Sequence, residues 1–234
     1  MIKRMKIAAA AGALGMILNL YATPLMAFGF GIGGSFGGAH VEASGTETHK
    51  TGSTKSRSKD AGTPIASAYA QIIVGDSVFG EGNGFAVGIQ QFFGEASMSE
   101  TKETTRTNII SAVGATESGT QYANVVFSDL RNIFIETPGF TPLGIFLKAG
   151  YAEMNVKTEE NLYTGGTFGD ATVDGSVVGF GFKKSAGGFQ VKTEVSYTDW
   201  DTISLNNTGT DAGSTKVTGT PEHWAATVGI GWIF

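Results

Sequence analysis

The sequence predicts an all-β fold, an eight-stranded antiparallel transmembrane β-barrel with up-and-down connectivity. Three observations predict it. Eight segments alternate apolar residues with polar or small ones, as half-buried strands do. The connections between the segments alternate between long and short. No segment after residue 27 is long and apolar enough for a membrane helix, so the chain could cross a bilayer only as a closed barrel.

Composition narrows the function classes. Of 234 residues, 35 are glycine, about twice the ordinary share. Charged residues make up 16 % and aromatic residues 11 %, and cysteine is absent. The absence of cysteine excludes a disulfide scaffold, a thiolate zinc site and a thiol nucleophile. The net charge of −5 argues against a nucleic-acid partner, because proteins that bind nucleic acids have strongly basic binding surfaces.

The first 27 residues have the order of a secretory signal peptide. Lys3, Arg4 and Lys6 precede an apolar run at 7–20, and Ala27 ends the region with a small residue. The run has 14 residues, fewer than the roughly 20 that span a bilayer. We therefore expect residues 1–27 to be a cleaved signal peptide and residues 28–234 to form the exported barrel domain.

The first four predicted strands are 28–41, 65–75, 84–96 and 122–136. In the first, phenylalanine and isoleucine share one face and glycine fills the other. In the third, Phe85, Val87, Ile89 and Phe93 alternate with small or polar residues. The fourth is the least regular. The stretch 108–113 before it could extend it or add a strand, and a ten-stranded barrel, which would require splitting another segment, is the alternative.

The last four predicted strands are 143–156, 172–184, 189–200 and 223–234. Glycines separate Val178, Phe180 and Phe182 in the sixth strand. The seventh and eighth alternate almost without interruption. Links after the first, third and seventh strands are long, and those after the second, fourth and sixth are short. This alternation of long and short links predicts long extracellular loops at one end and short periplasmic turns at the other, with both termini at the periplasmic end.

Charged residues on the predicted inner face suggest an ionic network. An eight-stranded barrel has an interior filled by side chains, and charges buried there must be paired. The residues assigned to this network are Asp129, Arg131, Lys148, Lys192 and Glu194. A structural plug is the favoured interpretation, and a gated or selective lumen is the alternative.

Aromatic residues near both ends of the predicted strands are typical of interfacial girdles. Tyr197, Trp200 and Trp224 fall toward the long-loop end, and Phe28, Trp232 and Phe234 fall toward the other end. Alternation alone does not tell the inner face from the outer one. A secreted soluble barrel that holds an apolar ligand therefore stays open as an alternative.

The C-terminus carries a recognisable pattern, with apolar or aromatic residues at alternate positions before a terminal phenylalanine. Its residues are Trp224, Val228, Ile230, Trp232 and Phe234. This pattern resembles the C-terminal signature of bacterial outer-membrane β-barrels, which the outer-membrane assembly machinery recognises. The stretch 179–202 is also similar to the penultimate hairpin of the OmpA, OmpX and Opa type of small barrel. The resemblance implies an outer-membrane protein, often monomeric, in contact with outer-membrane lipids and lipopolysaccharide.

No pattern in the sequence predicts a catalytic, cofactor or metal site. The glycines at 29, 31 and 34 match a dinucleotide fingerprint in spelling, but they lie among alternating aromatics instead of opening a helix. His40, His49 and His223 do not have metal-ligand spacing, and no Gly-x-Ser-x-Gly elbow occurs. We therefore expect a chain without enzymatic activity or cofactor.

The first long link is basic and rich in serine and threonine. Lys50, Lys55, Arg57 and Lys59 could contact anionic phosphates of lipopolysaccharide or another surface ligand, whereas a solvated loop is the plainer interpretation. The predicted function is a small barrel that serves outer-membrane structure, or surface recognition and adhesion through its loops. A narrow channel or porin is the alternative.

Overall fold

The computed structural model describes residues 28–49, 52–107, 116–140, 142–161, 167–208 and 214–234. The predicted signal peptide at 1–27, Lys50 and the ambiguous stretch 108–113 lie outside these residues. The described part of the chain contains ten strands and one short helix: β1 Phe28–His49, β2 Thr54–Val74, α1 Asp76–Phe79, β3 Phe85–Phe93, β4 Ala96–Thr107, β5 Thr116–Glu136, β6 Ile145–Asn161, β7 Ala171–Ala186, β8 Phe189–Trp200, β9 Ile203–Asn206 and β10 Ser214–Ile233.

The strands form a closed antiparallel ring of eight members. Each strand of the ring pairs with its neighbours, and β1 pairs with β10 to close it. β3 and β4 both pair with β5, so they are two parts of one ring member, interrupted at Gly94. β8 and β9 both pair with β10 in the same way. The predicted all-β, eight-stranded antiparallel barrel is confirmed.

The strands are longer than the sequence pattern predicts. β1 and β2 remain paired up to Thr48 and Thr54, so most of the predicted first long loop is a hairpin extension. β4 and β5 pair up to Thr107 and Thr116, and β10 begins at Ser214. Threonine favours extended backbone, yet these extensions carry polar residues on both faces and so show no alternation. The predicted strand ends were therefore too early.

The short connections lie at the end of the barrel where Phe28 and Phe234 are placed. Gly187 and Gly188 have φ values of 59° and 79°, as the two central residues of a tight hairpin turn with positive φ require. The link between β2 and β3 contains α1 and Gly82. Phe30 and Phe234 exchange two backbone hydrogen bonds of 3.1 and 2.8 Å, which close the ring at this end.

Exposed apolar side chains form a continuous belt on the outside of all eight ring members. The belt contains Phe28, Phe30, Ile32, Phe36, Ile72, Val87, Ile89, Phe93, Ile133, Leu147, Tyr151, Val178, Phe180, Phe182, Phe189, Val191, Val195, Trp224, Val228, Ile230, Trp232 and Phe234. On β10 it runs from Trp224 to Phe234. At about 3.4 Å per residue and a tilt of about 45°, that length gives a height of roughly 25 Å. No helix among the described residues is long and apolar enough to cross a bilayer.

Candidate functional site

The interior at the height of the belt is an ionic layer. Lys148 Nζ lies 2.9 Å from Glu194 Oε1 and donates a 2.7 Å hydrogen bond to Gln90 Oε1. Lys192 forms an ion pair with Glu136. Lys183 Nζ lies 3.7 Å from the second carboxylate oxygen of Glu136. All five charged side chains are at most 8 % exposed. Each ammonium group nevertheless has a carboxylate within 4 Å, and this pairing offsets the cost of burying the charges.

Backbone carbonyls and aromatic rings complete this layer. Lys183 donates to the carbonyl oxygens of Gly84 and Thr137 at 3.1 and 3.0 Å. The ammonium of Lys148 lies 4.5 Å from the centroid of the Phe134 ring, a distance at which the ring face attracts a cation. Lys192 lies 5.0 Å from the ring centroid of Tyr69. The lysines are therefore held by several partners each, as buried charges require.

Amide side chains also lie in the interior, at the ionic layer and toward the short turns. Gln71 donates to Gln190 at 3.2 Å, and Gln190 donates to the carbonyl of Gly82 at 2.8 Å. Gln90 donates to Ser67 at 2.8 Å. Within the layer the described residues leave a void of about 10 Å³, which is the size of about one water molecule. At this height the interior is packed with side chains.

Above the ionic layer, toward the long-hairpin end, the interior becomes apolar. Its buried cluster consists of Val41, Ala96, Met98, Phe127, Ala152, Met154, Val156, Val173 and Trp200. Trp200 is 2 % exposed and points inward, so its predicted place in the outer aromatic girdle is wrong. It lies three residues from the outward Tyr197, and residues an odd number apart on a strand face opposite sides. Tyr197 and Trp224 do lie together outside, with ring centroids 4.7 Å apart.

Two of the five residues assigned to the ionic network lie outside the barrel. β5 has one extra residue relative to β6 between Ser128 and Arg131, and Asp129 has a φ of 54°. This β-bulge reverses the facing of every residue on one side of it. Arg131 is exposed and forms an ion pair with Glu153, and Asp129 accepts a 3.1 Å hydrogen bond from Asn155. Lys148, Lys192 and Glu194 are the three that the structure brings together.

Glu136 and Lys183 belong to the ionic layer but were not among the residues predicted from the sequence. Glu136 faces inward only because of the bulge, which no residue type in the sequence marks. Lys183 had a signal, because it precedes Lys184 and adjacent residues of a strand cannot both face outward. One lysine of this pair had to point into the barrel.

The remaining candidate residues are dispersed. Lys55, Arg57 and Lys59 belong to β2 and not to a loop, and they share the parity of the inward-facing Tyr69. His40 is exposed on the outer face. His223 is buried, and its Nδ1 has no hydrogen-bond partner in the described structure. No three histidine, aspartate or glutamate side chains of the described residues come close enough to hold a metal ion.

Comparison with known proteins gives similarity at the level of architecture. No family model matches the chain, and no curated protein matches its sequence. The outer-membrane protease OmpT from Escherichia coli is similar in structure, with 11 % identity, a TM-score of 0.45, and coverage of 91 % of this chain and 99 % of that one. Neisserial surface protein A has 9 % identity, a TM-score of 0.39 and coverage of 87 % and 96 %. A FadL homologue from Pseudomonas aeruginosa has 8 % identity, a TM-score of 0.26 and coverage of 88 % and 90 %.

The comparison corrects one expectation. The chain was expected to have no enzymatic activity, but the solved structures similar to it include a protease, which contradicts that expectation. The physical reason is that a barrel can bring catalytic side chains together from several strands. A search for contiguous nucleophile motifs does not detect such an arrangement. The narrower resemblance to the OmpA, OmpX and Opa type stays a prediction.

Proposed function

We propose that this chain is an integral outer-membrane barrel with a sealed interior, acting at the cell surface through its long extracellular hairpins. Its role would be in outer-membrane structure or in surface recognition. The observation that carries the proposal is the apolar belt outside an ionic interior.

The distribution of polarity supports a lipid environment. A soluble barrel buries its apolar face and exposes its charges, whereas this one buries lysine and glutamate and exposes phenylalanine, isoleucine and valine. An apolar belt around the whole circumference far exceeds the patches of a few hundred Å² that soluble monomers expose. In hydrocarbon the same arrangement is favourable, because the closed ring also pairs the backbone polar groups. This observation favours the membrane barrel over the secreted ligand-binding barrel.

The packed interior supports a structural or surface role over a channel. Eight strands enclose a space that side chains fill, while an aqueous pore needs roughly 16 strands. Here the ionic layer and the apolar cluster lie one above the other along the barrel axis. A permeating solute would have to displace both.

The hairpin extensions support action outside the membrane. On β1 the belt ends near His40, and pairing with β2 continues to Thr48. Eight residue steps of about 3.4 Å correspond to roughly 25 Å of strand beyond the belt. The outward residues of the C-terminal strand are also consistent with recognition by the assembly machinery.

Electrophoresis of the refolded protein tests the membrane assignment. The folded chain in lipid vesicles should migrate differently from the boiled chain. Ile230→Arg should remove the folded band, because an arginine on the lipid face near the midplane costs about 2–4 kcal/mol. Thr172→Arg, an exposed position on β7 above the belt, is the matched control and should leave the band unchanged. Recovery of the wild-type chain from a periplasmic extract without detergent would contradict the assignment.

Conductance across a planar bilayer tests the sealed interior. The refolded chain should give no steady openings of solute size, because the interior has no continuous aqueous path at the ionic layer. Steady currents from the wild-type chain would favour the channel alternative and overturn this part of the proposal.

A further inference from the structure

Hydroxyl groups line the outer face of the barrel just above the belt. The cross-strand register places Ser58, Ser44 and Thr220 in one row and Ser56, Thr46 and Thr218 in the next. Thr202, which precedes β9, joins the first row through a 3.1 Å contact with Thr220. We call the resulting open depression the hydroxyl cleft. Its volume is about 590 Å³, and its lining residues are Ser44, Gly45, Thr46, Ser56, Arg57, Ser58, Thr202, Thr218, Gly219 and Thr220.

Four of the cleft hydroxyls form two pairs that retain hydrogen-bonding capacity, whereas Ser58 and Thr218 already donate to Glu42 and to the Thr46 carbonyl. Thr46 and Ser56 contact each other at 3.1 Å, as do Thr202 and Thr220. Each hydroxyl has one donor and two acceptor positions, so one mutual bond leaves each pair with a free donor and several free acceptors. Serine and threonine side chains are short, and here they lie on paired strands. A ligand that binds them therefore restricts little conformational freedom, and the entropy cost of binding is small. The cleft therefore offers many neutral hydrogen bonds at fixed spacing.

A row of carboxylates borders the cleft on its membrane side. Asp60, Glu42, Glu222 and Asp199 occupy directly opposed positions on β2, β1, β10 and β8, and all are exposed. Like charges at opposed positions repel one another, so this row gives the border a negative potential. Carboxylates accept hydrogen bonds and do not donate them. The border therefore disfavours phosphate or sulfate and suits a ligand rich in neutral hydroxyl donors.

The aromatic girdle fixes the height of the cleft. Trp224 lies two residues below Glu222 on β10, and its 52 % exposed side chain packs against Tyr197. Such amphipathic rings lie at the membrane–water interface of barrels. The carboxylate row and the hydroxyl cleft thus follow directly above the interface, at the level of the polar part of the outer leaflet.

We propose that the hydroxyl cleft binds a neutral saccharide, with sugar hydroxyls bonding to the serine and threonine rows and donating to the carboxylate border. The inference rests on the proposed function for the extracellular position of the cleft. The same chemistry would accept the sugar chain of a neighbouring glycolipid or a free surface glycan.

An array of immobilised oligosaccharides tests the specificity. The full chain, refolded in detergent, is applied to neutral oligosaccharides and to sulfated forms of the same sugars. We expect binding to neutral sugars and at least tenfold weaker binding to the sulfated ones. Preference for sulfated sugars, or failure to bind any neutral sugar on the array, would overturn the inference.

Conservative variants place the binding in the cleft. Thr220→Val and Ser44→Ala each remove a hydroxyl with little change in shape, and the double variant should bind the retained sugar at least tenfold more weakly. Thr172→Val, on the outer face of β7, is the matched control and should bind like the wild type. Each variant is checked for its folded band, and Ser44→Ala alone serves if the double variant lacks one. Unchanged binding by the folded variants would overturn the cleft as the site.

Two further measurements distinguish a glycolipid from a free glycan, and the failure of the saccharide site from the failure of the membrane assignment. Binding to lipopolysaccharide vesicles but not to the same polysaccharide freed of lipid would indicate the glycolipid. Binding to both would indicate a glycan recognised on its own. A chain that inserts into vesicles but binds no sugar overturns the saccharide site alone. A chain that binds sugar but is recovered without detergent overturns the membrane assignment alone.

Discussion

The two halves of the barrel have opposite distributions of polarity. At the height of the belt, charged residues such as Lys148 and Glu194 fill the interior and apolar residues cover the outside. Just above the belt, Met154 and Trp200 lie in the interior, and carboxylates and hydroxyls cover the outside. The same eight ring members pass through both halves. Under the proposed membrane location the outer face meets lipid below and water above, and this difference accounts for the residues that each half buries.

The comparison also separates two kinds of stabilisation. The half above the belt can gain from removing apolar side chains from water, about 25 cal/mol per Å². In the proposed membrane setting the belt half cannot, because its outer apolar side chains would contact lipid. Its interior depends instead on the pairing of buried charges. Removing one side chain should therefore change the free energy of unfolding by a different mechanism in each half.

The largest effect is expected from the ionic layer. Glu136→Ala removes the carboxylate that faces both Lys183 and Lys192, so that Glu194 is the remaining carboxylate of the ionic layer. Breaking a buried pair in this way costs about 3–5 kcal/mol. Urea titration of the protein in vesicles, followed by the folded band, measures the change. Glu153→Ala, which removes the partner of the exposed Arg131, is the control, and equal losses for the two variants would contradict the distinction.

A somewhat smaller and more local effect is expected in the apolar cluster. Met154→Ala leaves a cavity beside Phe127 and Trp200 and should cost about 2–5 kcal/mol. Because the cluster lies above the belt, the loss should loosen the hairpins while the spanning part stays inserted. Protease added outside intact vesicles should then cut the hairpins faster without loss of the membrane-protected fragment. Simultaneous loss of that fragment would show that the two halves unfold as one unit.

Two adjacent glycines on β1, Gly37 and Gly38, test how closely the strands pack where the two halves of the barrel meet. A Cβ at Gly37 would lie 1.9 Å from the carbonyl oxygen of Ala226, whereas one at Gly38 would have nothing within 4 Å. Gly37→Ala should cost about 1–3 kcal/mol because the neighbouring strand must shift. Gly38→Ala should be neutral or slightly stabilising, since it restricts the unfolded chain. The same urea titration compares them, and equal behaviour would argue against close strand contact here.

The sequence was informative at the height of the apolar belt and much less informative above it. In 189–200 the alternation gives the strand and its facing, and the structure has β8 at these bounds. Above the belt both outer and inner surroundings change, so alternation weakens and the hairpins at 44–64 look like a loop. The bulge at Asp129 has no residue signal and reverses the facing of Arg131 and Glu136. Partners such as Lys148 and Glu194 lie on non-adjacent strands, and facing alone does not predict which charges pair.

The smallest effect is expected at the bulge itself. Arg131 and Glu153 form an ion pair on the outside of the barrel, and the arginine side chain is 64 % exposed. Solvent-exposed pairs contribute about 0–1 kcal/mol, so Arg131→Ala should barely move the urea midpoint at low salt and not at all at high salt. A loss of several kcal/mol that persists at high salt would mean that the pair holds the bulge in place. The facing of Glu136, and with it the ionic layer, would then depend on a surface contact and not on the packing inside the ring.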